Sequence, residues 1–456
     1  MTRLRLAAGK TFRALEVRNY RLYFFGQVVS VSGTWMQSVA LGWLVLRLTG
    51  SGIDLGFVTA LQFVPMLLLG SWGGLVADRL DKRRVLFCTQ SFAAALALVL
   101  GLLDLTGAIT LWQIYLLAVL IGVFNLFDNP ARQSFVSEMV GKDLLPNAVS
   151  LNSVVMNSAR VVGPALAGVL IATVGIPICF LANAASFVAV IVALSLMRTS
   201  ELRHRRSVER AKGQVREGLR YVWREPRLRD PLLVMAVVGI FAFNFQTTLP
   251  LLARFTFHGG AGTFGALTSA MGAGAVLGGL YTAHRARPSL RVLSLVGVVF
   301  GALILALSLA PTKISALVVL VPMGAASIAF ISTANASLQL SSKPTMRGRV
   351  MALYAIAFLG STPIGAPIVG AVSSATSPRV ALALGGVATV LATVPLFVKY
   401  GRRASRAAGE APPGASPSPA PAPAPAPTMA TSLPAKGATP TASEPARREE
   451  SSPSAA

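Results

Sequence analysis

Long apolar stretches separated by short polar connections run through most of this chain. Twelve stretches of roughly 20–25 residues lie between residues 22 and 399, and about 20 apolar residues let a helix cross the ~30 Å hydrocarbon core of a bilayer. The pattern predicts an all-α integral membrane protein with twelve transmembrane helices. The predicted spans are 22–47, 54–77, 85–106, 110–133, 146–172, 176–197, 231–253, 262–283, 290–309, 313–340, 350–374 and 379–399.

Lysine and arginine lie almost entirely on one side of these spans. With the amino terminus placed inside, four of the 41 Lys and Arg residues fall outside, Arg160 falls within a span, and the other 36 fall in inner loops or the chain ends. The four outer residues are Arg47, Arg254, Lys313 and Arg379. Because this asymmetry follows the positive-inside rule, both termini are predicted to be cytoplasmic. The net charge of +24 therefore requires no nucleic-acid partner.

Loop lengths divide the chain into four predicted regions. The outer loops are little more than turns, which favours antiparallel neighbours and compact bundles. One long inner loop separates six spans from six, so we predict an amino-terminal six-helix bundle over 1–198 and a carboxy-terminal six-helix bundle over 231–400. A cytoplasmic linker occupies 199–230. Residues 401–456 form a Pro-, Ala- and Ser-rich tail that is predicted to be disordered.

The linker has the pattern of an amphipathic helix. Apolar residues recur at spacings of three and four, and arginines flank the apolar stripe. Such a helix is expected to lie on the anionic inner leaflet, although a solvated linker helix would show a similar pattern. The stripe consists of Val208, Ala211, Val215, Leu219 and Val222.

The inner loop between spans two and three carries the most specific motif. It reads GLVADRLDKRR from Gly74 to Arg84. This resembles the signature loop of the major facilitator superfamily, Gly-x-x-x-Asp-Arg-x-Gly-x-Arg-Arg, with Asp81 where glycine is usual. The resemblance implies two six-helix bundles that rock about a central substrate site, and a loop that latches them together in the outward-facing state.

Two contacts of this latch can be anticipated. Asp78 is expected to meet the start of span eleven near Arg349, where a helix amino terminus favours negative charge. Arg83 is expected to meet Asp128, near the inner end of span four. Ordinary solvated loop charges are the alternative. The residues assigned to the latch are Gly74, Asp78, Arg79, Arg83, Asp128 and Arg132.

Further motifs resemble one branch of this superfamily. The segment Asp128-Asn129-Pro130-Ala131-Arg132-Gln133 in span four is similar to the twelve-helix exporters of the enterobactin and macrolide-efflux type, and the resemblance runs over about residues 10–400. It implies a monomeric transporter in the bacterial inner membrane. Gly163, Pro164 and Gly168 in span five resemble the antiporter motif of drug exporters, with one extra residue between Pro164 and Gly168.

Polar residues within the spans mark a predicted substrate pathway, because lipid offers no hydrogen bonds. Several recur at helical spacing and therefore share one helix face. Interhelical hydrogen bonding is the alternative explanation for each stripe. The candidates for the substrate cavity, including nearby aromatic residues, are Gln27, Ser30, Thr34, Trp35, Gln37, Phe124, Asn125, Asn157, Arg160, Asn244, Asn335, Gln339 and Phe358.

Charged residues near the membrane interior limit the possible mechanisms. Arg160 lies deep in span five and needs a counter-ion, water, an anionic substrate group or backbone carbonyls. The sequence has no Asp or Glu between Asp230 and Glu410, so any proton-carrying carboxylate must come from the first six spans. Asp128 is the first candidate, whereas Asp54 and Asp104 are interpreted as loop acids near the outer surface.

Other classes of protein fit the sequence less well. Charged residues make up 13% of the chain, about half of their share in soluble domains. We find no nucleotide-binding loop, no metal-ligand spacing, no cofactor motif and no arrangement of nucleophile and base, so an enzyme is not predicted. The sequence favours a proton-driven exporter of small amphiphilic molecules such as drugs or siderophores. The alternatives are a lipid or metabolite transporter or uniporter, and a membrane sensor or scaffold that does not transport.

Overall fold

The structure is a computed structural model that describes residues 12–202, 214–285 and 288–409, without the side chains of 71–78, 214–216, 283–285 and 401–409. The described chain is folded mainly into α-helices, which we number in order. The helices are α1 (Arg18–Thr49), α2 (Gly52–Arg79), α3 (Lys82–Leu105), α4 (Leu111–Thr173), α5 (Ile176–Ser195), α6 (Gln214–Arg224), α7 (Pro226–Phe241), α8 (Phe245–Leu251), α9 (Ala261–Arg285), α10 (Leu290–Ser308), α11 (Lys313–Ser341), α12 (Arg347–Leu359), α13 (Thr362–Ala375) and α14 (Pro378–Gly409).

Eleven segments of the described chain are helical, long and apolar enough to cross a membrane. One of them, α4, has 63 residues, but Gly141 inside it has φ 74° and ψ −175°. Residues with a side chain rarely adopt this conformation, so glycine is needed there. Gly141 therefore divides α4 into two helical arms, 111–140 and 142–173.

Local signals in the sequence explain where several helices begin and end. Asp81, which replaces the usual glycine of the signature loop, caps α3 by accepting a hydrogen bond from the Arg84 backbone N–H at 2.9 Å. Gly50 ends α1 in the left-handed conformation at φ 64°, as helix-terminating glycines commonly do. The α1–α2 and α2–α3 connections are short, so these helices run antiparallel to their neighbours.

Two predicted spans contain breaks that their continuous apolar sequences do not predict. Span seven is divided between α7 and α8, with Asn244 at φ −105° and ψ 38° before α8. Span eleven is divided between α12 and α13 near Gly360 and Ser361, and Pro363 lies in the first turn of α13. Proline fits a first turn because it needs no hydrogen bond from its own nitrogen.

Packing within and between the two halves of the chain defines the core. In the amino-terminal half (α1–α5), α1 packs against α4 and α5, and α3 packs against α5. In the carboxy-terminal half (α7–α14), α11 packs against α9 and α10. The largest contacts between the halves join α2 to α13 and the second arm of α4 to α9.

The described part of the linker helix divides the predicted apolar stripe between two faces. Helix α6 covers Gln214–Arg224, whereas Val208 and Ala211 lie outside the described residues. The predicted stripe is divided, because Val222 is 2% exposed and Leu219 is 51% exposed. Val222 lies on the face that packs against α12, where Glu217 pairs with Arg349 at 2.6 Å. Leu219 and Trp223 remain on the exposed face.

The beginning of the predicted tail is helical. Helix α14 continues to Gly409, past the predicted boundary at residue 401. Alanine and arginine dominate this extension, and both favour helix, while the first proline of the tail comes later, at Pro412. Residues 410–456, which hold the rest of the predicted disordered tail, lie outside the described residues.

Candidate substrate cavity and its two ends

A cavity of about 250 Å³ lies among helices of both halves. Most of its wall comes from α1 to α5, while α8 contributes Gln246 and α12 contributes Leu359. Thr34 and Ser38 provide hydroxyl groups. Amide side chains supply the rest of its polar wall, namely Gln37, Gln62, Asn125, Asn129, Asn183 and Gln246.

The remaining wall of the cavity is apolar. Phe124 and Phe187 meet edge to face with ring centroids 6.2 Å apart, a geometry that aromatic rings prefer. Phe63 and Met66 line the cavity from α2. Among the described residues, the wall contains no Asp, Glu, Lys, Arg or His.

Four of the predicted cavity residues line this cavity. They are Thr34 and Gln37 on α1, and Phe124 and Asn125 on α4. The three-residue spacing from Thr34 to Gln37 keeps both side chains on one face of α1. The other two polar residues of the α1 stripe, Gln27 and Ser30, do not line the cavity. They are buried in the packing of the amino-terminal half.

A buried polar network lies beside the cavity, one helical turn beyond Asn125. Asp128 is 1% exposed, and its Oδ2 accepts a hydrogen bond from Arg132 Nε at 3.0 Å. Its Oδ1 accepts from Thr89 Oγ1 at 3.0 Å and from Gln90 Nε2 at 2.8 Å. Arg132 Nη1 donates to Gln27 Oε1 at 2.6 Å. Both carboxylate oxygens are therefore satisfied, which a buried ion pair requires.

The latch contact between Arg83 and Asp128, expected for the outward-facing state, is not formed in this structure. Arg83 Nε donates to the Leu194 backbone carbonyl at 2.9 Å, and Arg132 occupies the place beside Asp128. Arg132 lies four residues after Asp128 on the same helix, where side chains meet without any movement of the loop. Arg79 is exposed, whereas the Asp78 side chain and the surroundings of Gly74 lie outside the described part of the protein.

Arg160 is placed against a tryptophan rather than a carboxylate. Its guanidinium carbon lies 5.2 Å from the centroid of the Trp35 ring, within the range of a cation–π interaction. Its Nε is buried without a hydrogen-bond partner among the described residues. Neither residue lines the cavity, so the expected juxtaposition of Arg160 with the cavity wall is absent.

Several other predicted cavity residues form hydrogen bonds or ring contacts with protein groups. Asn157 Nδ2 donates to the Ser153 carbonyl at 2.8 Å, and Gln339 Nε2 donates to Asn335 Oδ1 at 2.5 Å. Asn244 Nδ2 donates to the Ile240 carbonyl at 2.6 Å, at the α7–α8 break. Phe358 packs against Phe243 and Tyr354 in an aromatic cluster of the carboxy-terminal half. These contacts agree with the alternative of interhelical or local bonding.

A seam of glycines joins the two halves on the side of the cavity that faces the α1–α2 turn. Gly52 and Gly56 of α2 lie against Gly370 and Ala366 of α13. The backbones approach so closely that a Cβ on Gly56 would lie 3.0 Å from Pro367 Cα. Small residues allow such close helix packing in membranes.

The antiporter-like motif forms the other part of this seam. A Cβ on Gly265 of α9 would lie 2.6 Å from the Pro164 carbonyl and 2.9 Å from Gly168 Cα. Gly163 faces α1 instead, where a Cβ would lie 2.6 Å from the Cβ of Trp35. The motif therefore provides close contact with two helices at once.

Hydrogen bonds reinforce the seam, and several of their residues were missed from the sequence. Arg254 Nη1, in the π-helical turn Leu252–Thr256, donates to the Leu46 carbonyl at 2.7 Å. The Gly52 backbone N–H donates to Ser374 Oγ at 3.0 Å. The sequence signals that could have identified Arg254 were its positive charge and its place in a predicted outer loop.

Asp54 and Asp104, which were interpreted as loop acids, both have side-chain partners at the end of the helices where the α1–α2 turn lies. Asp104 is 7% exposed and pairs with Arg47, and its Oδ2 has no further partner among the described residues. Asp54 accepts a hydrogen bond from Tyr115 at 2.8 Å. Asp104 therefore ties α3 to α1, which an exposed loop acid would not do. No group of three or more potential metal ligands occurs in the described part of the chain.

The chain matches the transmembrane secretion effector family over residues 10–419. It is 29% identical to the staphyloferrin A transporter of Staphylococcus aureus over 248 residues, 54% of this chain and 62% of that protein, so it spans less than two thirds of that relative. It is 27% identical to the multidrug efflux pump Tap of Mycolicibacterium fortuitum, covering 83% of this chain and 95% of that protein. It is 25% identical to the enterobactin exporter EntS of Citrobacter koseri, covering 84% and 92%.

A solved structure supports the same fold. The chain superimposes on a bacterial homologue of the iron transporter ferroportin with a TM-score of 0.66 at 16% identity, covering 84% of this chain and 98% of that one. These findings confirm the resemblance drawn from the signature loop and from span four. The chain belongs to the transmembrane secretion effector family of the major facilitator superfamily, a family of transporters rather than enzymes, and is a multi-pass protein of the bacterial inner membrane.

Proposed function

We propose that this protein is a secondary-active exporter that moves small amphiphilic molecules by alternating access, driven by proton entry. One observation carries the proposal: an uncharged cavity lies between a glycine seam at one end and the buried Asp128–Arg132 pair at the other. The relatives named for siderophore and multidrug export support the direction of transport and the class of substrate.

The topology follows from the break in α4. We assign each arm of α4 a crossing of its own, which gives twelve crossings and returns both termini to the cytoplasm. Gly141 then lies in an inner loop, and the distribution of Lys and Arg supports this orientation. In this topology the glycine seam lies at the outer end, so we assign the structure to a state closed to the outside.

The Asp128–Arg132 pair supplies a means of coupling to protons. Asp128 uses both oxygens for Arg132, Thr89 and Gln90, so a proton that binds the carboxylate must displace Arg132 or one of the neutral donors. Loss of the negative charge would also leave Arg132 buried without a counter-ion, which is costly. Protonation and movement of Arg132 are therefore linked, and Arg132 is bonded to α1 through Gln27.

The test uses everted membrane vesicles, in which respiration acidifies the interior and an antiporter accumulates substrate. Uptake of a drug to which the protein confers resistance should stop when an ionophore collapses the proton gradient. Asp128→Asn should abolish gradient-driven uptake. Asp143→Asn removes an exposed carboxylate near the junction of the α4 arms and should leave uptake unchanged. Uptake that survives both the ionophore and Asp128→Asn would rule out this coupling.

A further inference from the structure

We infer that the cavity selects uncharged ligands that carry several hydroxyl, carbonyl or amide groups beside an apolar ring. This inference rests on the proposed function, because it treats the cavity as the substrate site. The composition of the cavity wall supports it. Six amide and two hydroxyl side chains line the cavity, and no described lining residue carries a charge.

Some of the amides are free to bind a ligand. Asn125, Asn129 and Gln246 have no hydrogen-bond partner among the described residues, and each is at least partly exposed. Gln37 and Asn183 are joined to each other by a bond of 2.7 Å, which holds their orientation. Each free amide presents both a donor and an acceptor. The wall can therefore satisfy hydroxyl, carbonyl and amide groups of a ligand, but it cannot neutralise an ion.

The apolar part of the wall includes aromatic side chains that can contact a ring of the ligand. The Phe124–Phe187 pair and Phe63 offer aromatic surfaces, and aromatic rings stack with a gain of about 0.5–1.5 kcal/mol beyond burial. Met66 adds a flexible side chain that adapts to ligand shape. The volume of about 250 Å³ lies just below the ~300–1,000 Å³ of typical ligand pockets, so a compact molecule is expected.

Two charged side chains considered for the substrate pathway, those of Asp128 and Arg160, already contact other residues. Asp128 is bonded to Arg132, Thr89 and Gln90, so its charge is already balanced. Arg160 faces Trp35 and does not line the cavity. An ion that left water for this site would have no counter-ion, and burial of an unpaired charge costs several kcal/mol. Anions and cations should both be disfavoured relative to an uncharged analogue.

The first experiment compares probes that differ in charge. Purified protein in lipid nanodiscs is equilibrated by dialysis with labelled chloramphenicol, an uncharged molecule with two hydroxyls, an amide and a nitrophenyl ring. The same measurement is made with the cationic dye ethidium and with the hemisuccinate ester of chloramphenicol, which adds a carboxylate on a four-carbon chain to one hydroxyl. The uncharged methyl ester of that hemisuccinate is the control for the added bulk. We expect both charged probes to bind at least about tenfold more weakly than chloramphenicol.

The second experiment introduces a charge into the wall. Gln246→Glu keeps the shape of an exposed lining residue but adds a carboxylate, and it should raise ethidium affinity about tenfold while weakening chloramphenicol binding. Asn152→Asp adds the same charge on α4 outside the cavity and should change neither affinity. These ratios need no proton gradient, so they remain informative if the coupling proposal fails.

Several outcomes would overturn the inference. One is that the hemisuccinate ester binds as tightly as chloramphenicol and loses affinity on Arg160→Gln, because this would reveal an anion site. Another is that Gln246→Glu and Asn152→Asp have equal effects on ethidium, because position 246 would then not contact the ligand. Absence of binding by all three probes would also contradict it, since the uncharged probe has the size and groups that the cavity should hold.

Discussion

Two acidic clusters, one in each half of the chain, have opposite surroundings. Asp128 is 1% exposed and lies beside the cavity, where Arg132 and two neutral donors bind it. Asp230, in the first part of α7, has a side chain that is 10% exposed; it pairs with Lys399, whose side chain is 39% exposed, and accepts a hydrogen bond from Tyr400 at 3.2 Å. The first cluster is desolvated, and the proposed mechanism links its protonation to movement of Arg132. The second ties α14 to α7 near the surface.

The same contrast extends to the helices around each cluster. In the amino-terminal half, α1, α2, α3 and the first arm of α4 run past the cavity without a break and provide most of its wall. In the carboxy-terminal half, the two helices that reach the cavity are broken, at the α7–α8 and α12–α13 junctions. We interpret the first half as the part that holds charge and substrate, and the second as the part that bends.

The sharpest test of this contrast is to remove one partner of the buried pair. Arg132→Met leaves Asp128 buried without a counter-ion, and breaking a buried pair costs about 3–5 kcal/mol. The unfolding midpoint in detergent should therefore fall strongly. The double variant Asp128→Leu with Arg132→Met should regain most of the stability, because replacing a buried pair by apolar residues is often neutral.

A matched control comes from an exposed pair in the same half. Arg198 and Glu201 lie 3.2 Å apart with both side chains exposed, so Arg198→Met should change stability by less than about 1 kcal/mol. If the double variant is as unstable as Arg132→Met, the desolvated charge is not the cause and the contrast between the clusters fails.

The second test adds a methyl group at a close helix contact in the glycine seam. Gly265→Ala places a Cβ 2.6 Å from the Pro164 carbonyl, and overpacking costs about 1–3 kcal/mol. The closed outer end should lose stability relative to the open one, which corresponds to a shift of about 5- to 150-fold between the two states. A cysteine at Asn129, in a background without Cys88 and Cys179, should then react more slowly with maleimide from the inner side.

The control for the seam is a neighbouring glycine with open space. A Cβ on Gly260, just before α9, would meet nothing within 4 Å. Gly260→Ala should therefore leave the labelling rate unchanged. Equal labelling of both variants would mean that the seam does not set the balance between the two states.

The positions of the helices could be predicted from sequence better than their orientations. Apolar length predicted helices in the regions of the eleven segments that are long and apolar enough to cross a membrane, and helical spacing identified Thr34 and Gln37 as neighbours on one face. The breaks in spans seven and eleven were missed because apolar runs continue through them. In helices that are apolar on all sides, periodicity does not fix which face meets which neighbour. Gln246 and Asn183 could therefore not be placed.

The charged network illustrates a different limit. The assignment of Arg83 to Asp128 came from a family resemblance, whereas the spacing of Asp128 and Arg132 on one helix already indicated the closer partner. Arg160 was expected to need a counter-ion, and the structure offers a tryptophan ring instead. Contacts between distant helices, such as Gly168 with Gly265, leave no local signal in either segment.

A third prediction concerns the contribution of the bending half to ligand binding. Gln246→Ala removes one free amide from the cavity wall, and a single hydrogen bond contributes about 0.5–1.5 kcal/mol. Affinity for a transported drug should fall by about 2- to 12-fold. Thr268→Ala, whose hydroxyl bonds only its own helix at Phe264 in the described chain, should leave affinity unchanged. Equal affinities for the two variants would confine the ligand to the amino-terminal half.

The smallest expected effect belongs to the surface cluster. Lys399→Met removes the ammonium that contacts Asp230 at 2.6 Å, but the side chain is 39% exposed and Arg229 and Tyr400 still bond the carboxylate. Exposed pairs contribute about 0–1 kcal/mol, so the unfolding midpoint should fall only slightly and transport should persist. Because Arg229 and Tyr400 still bond the Asp230 carboxylate, the loss of Lys399 should cost less than the loss of Arg132 beside Asp128. A loss of transport with an intact unfolding midpoint would instead place Asp230 in the coupling mechanism and reverse the roles assigned to the two halves.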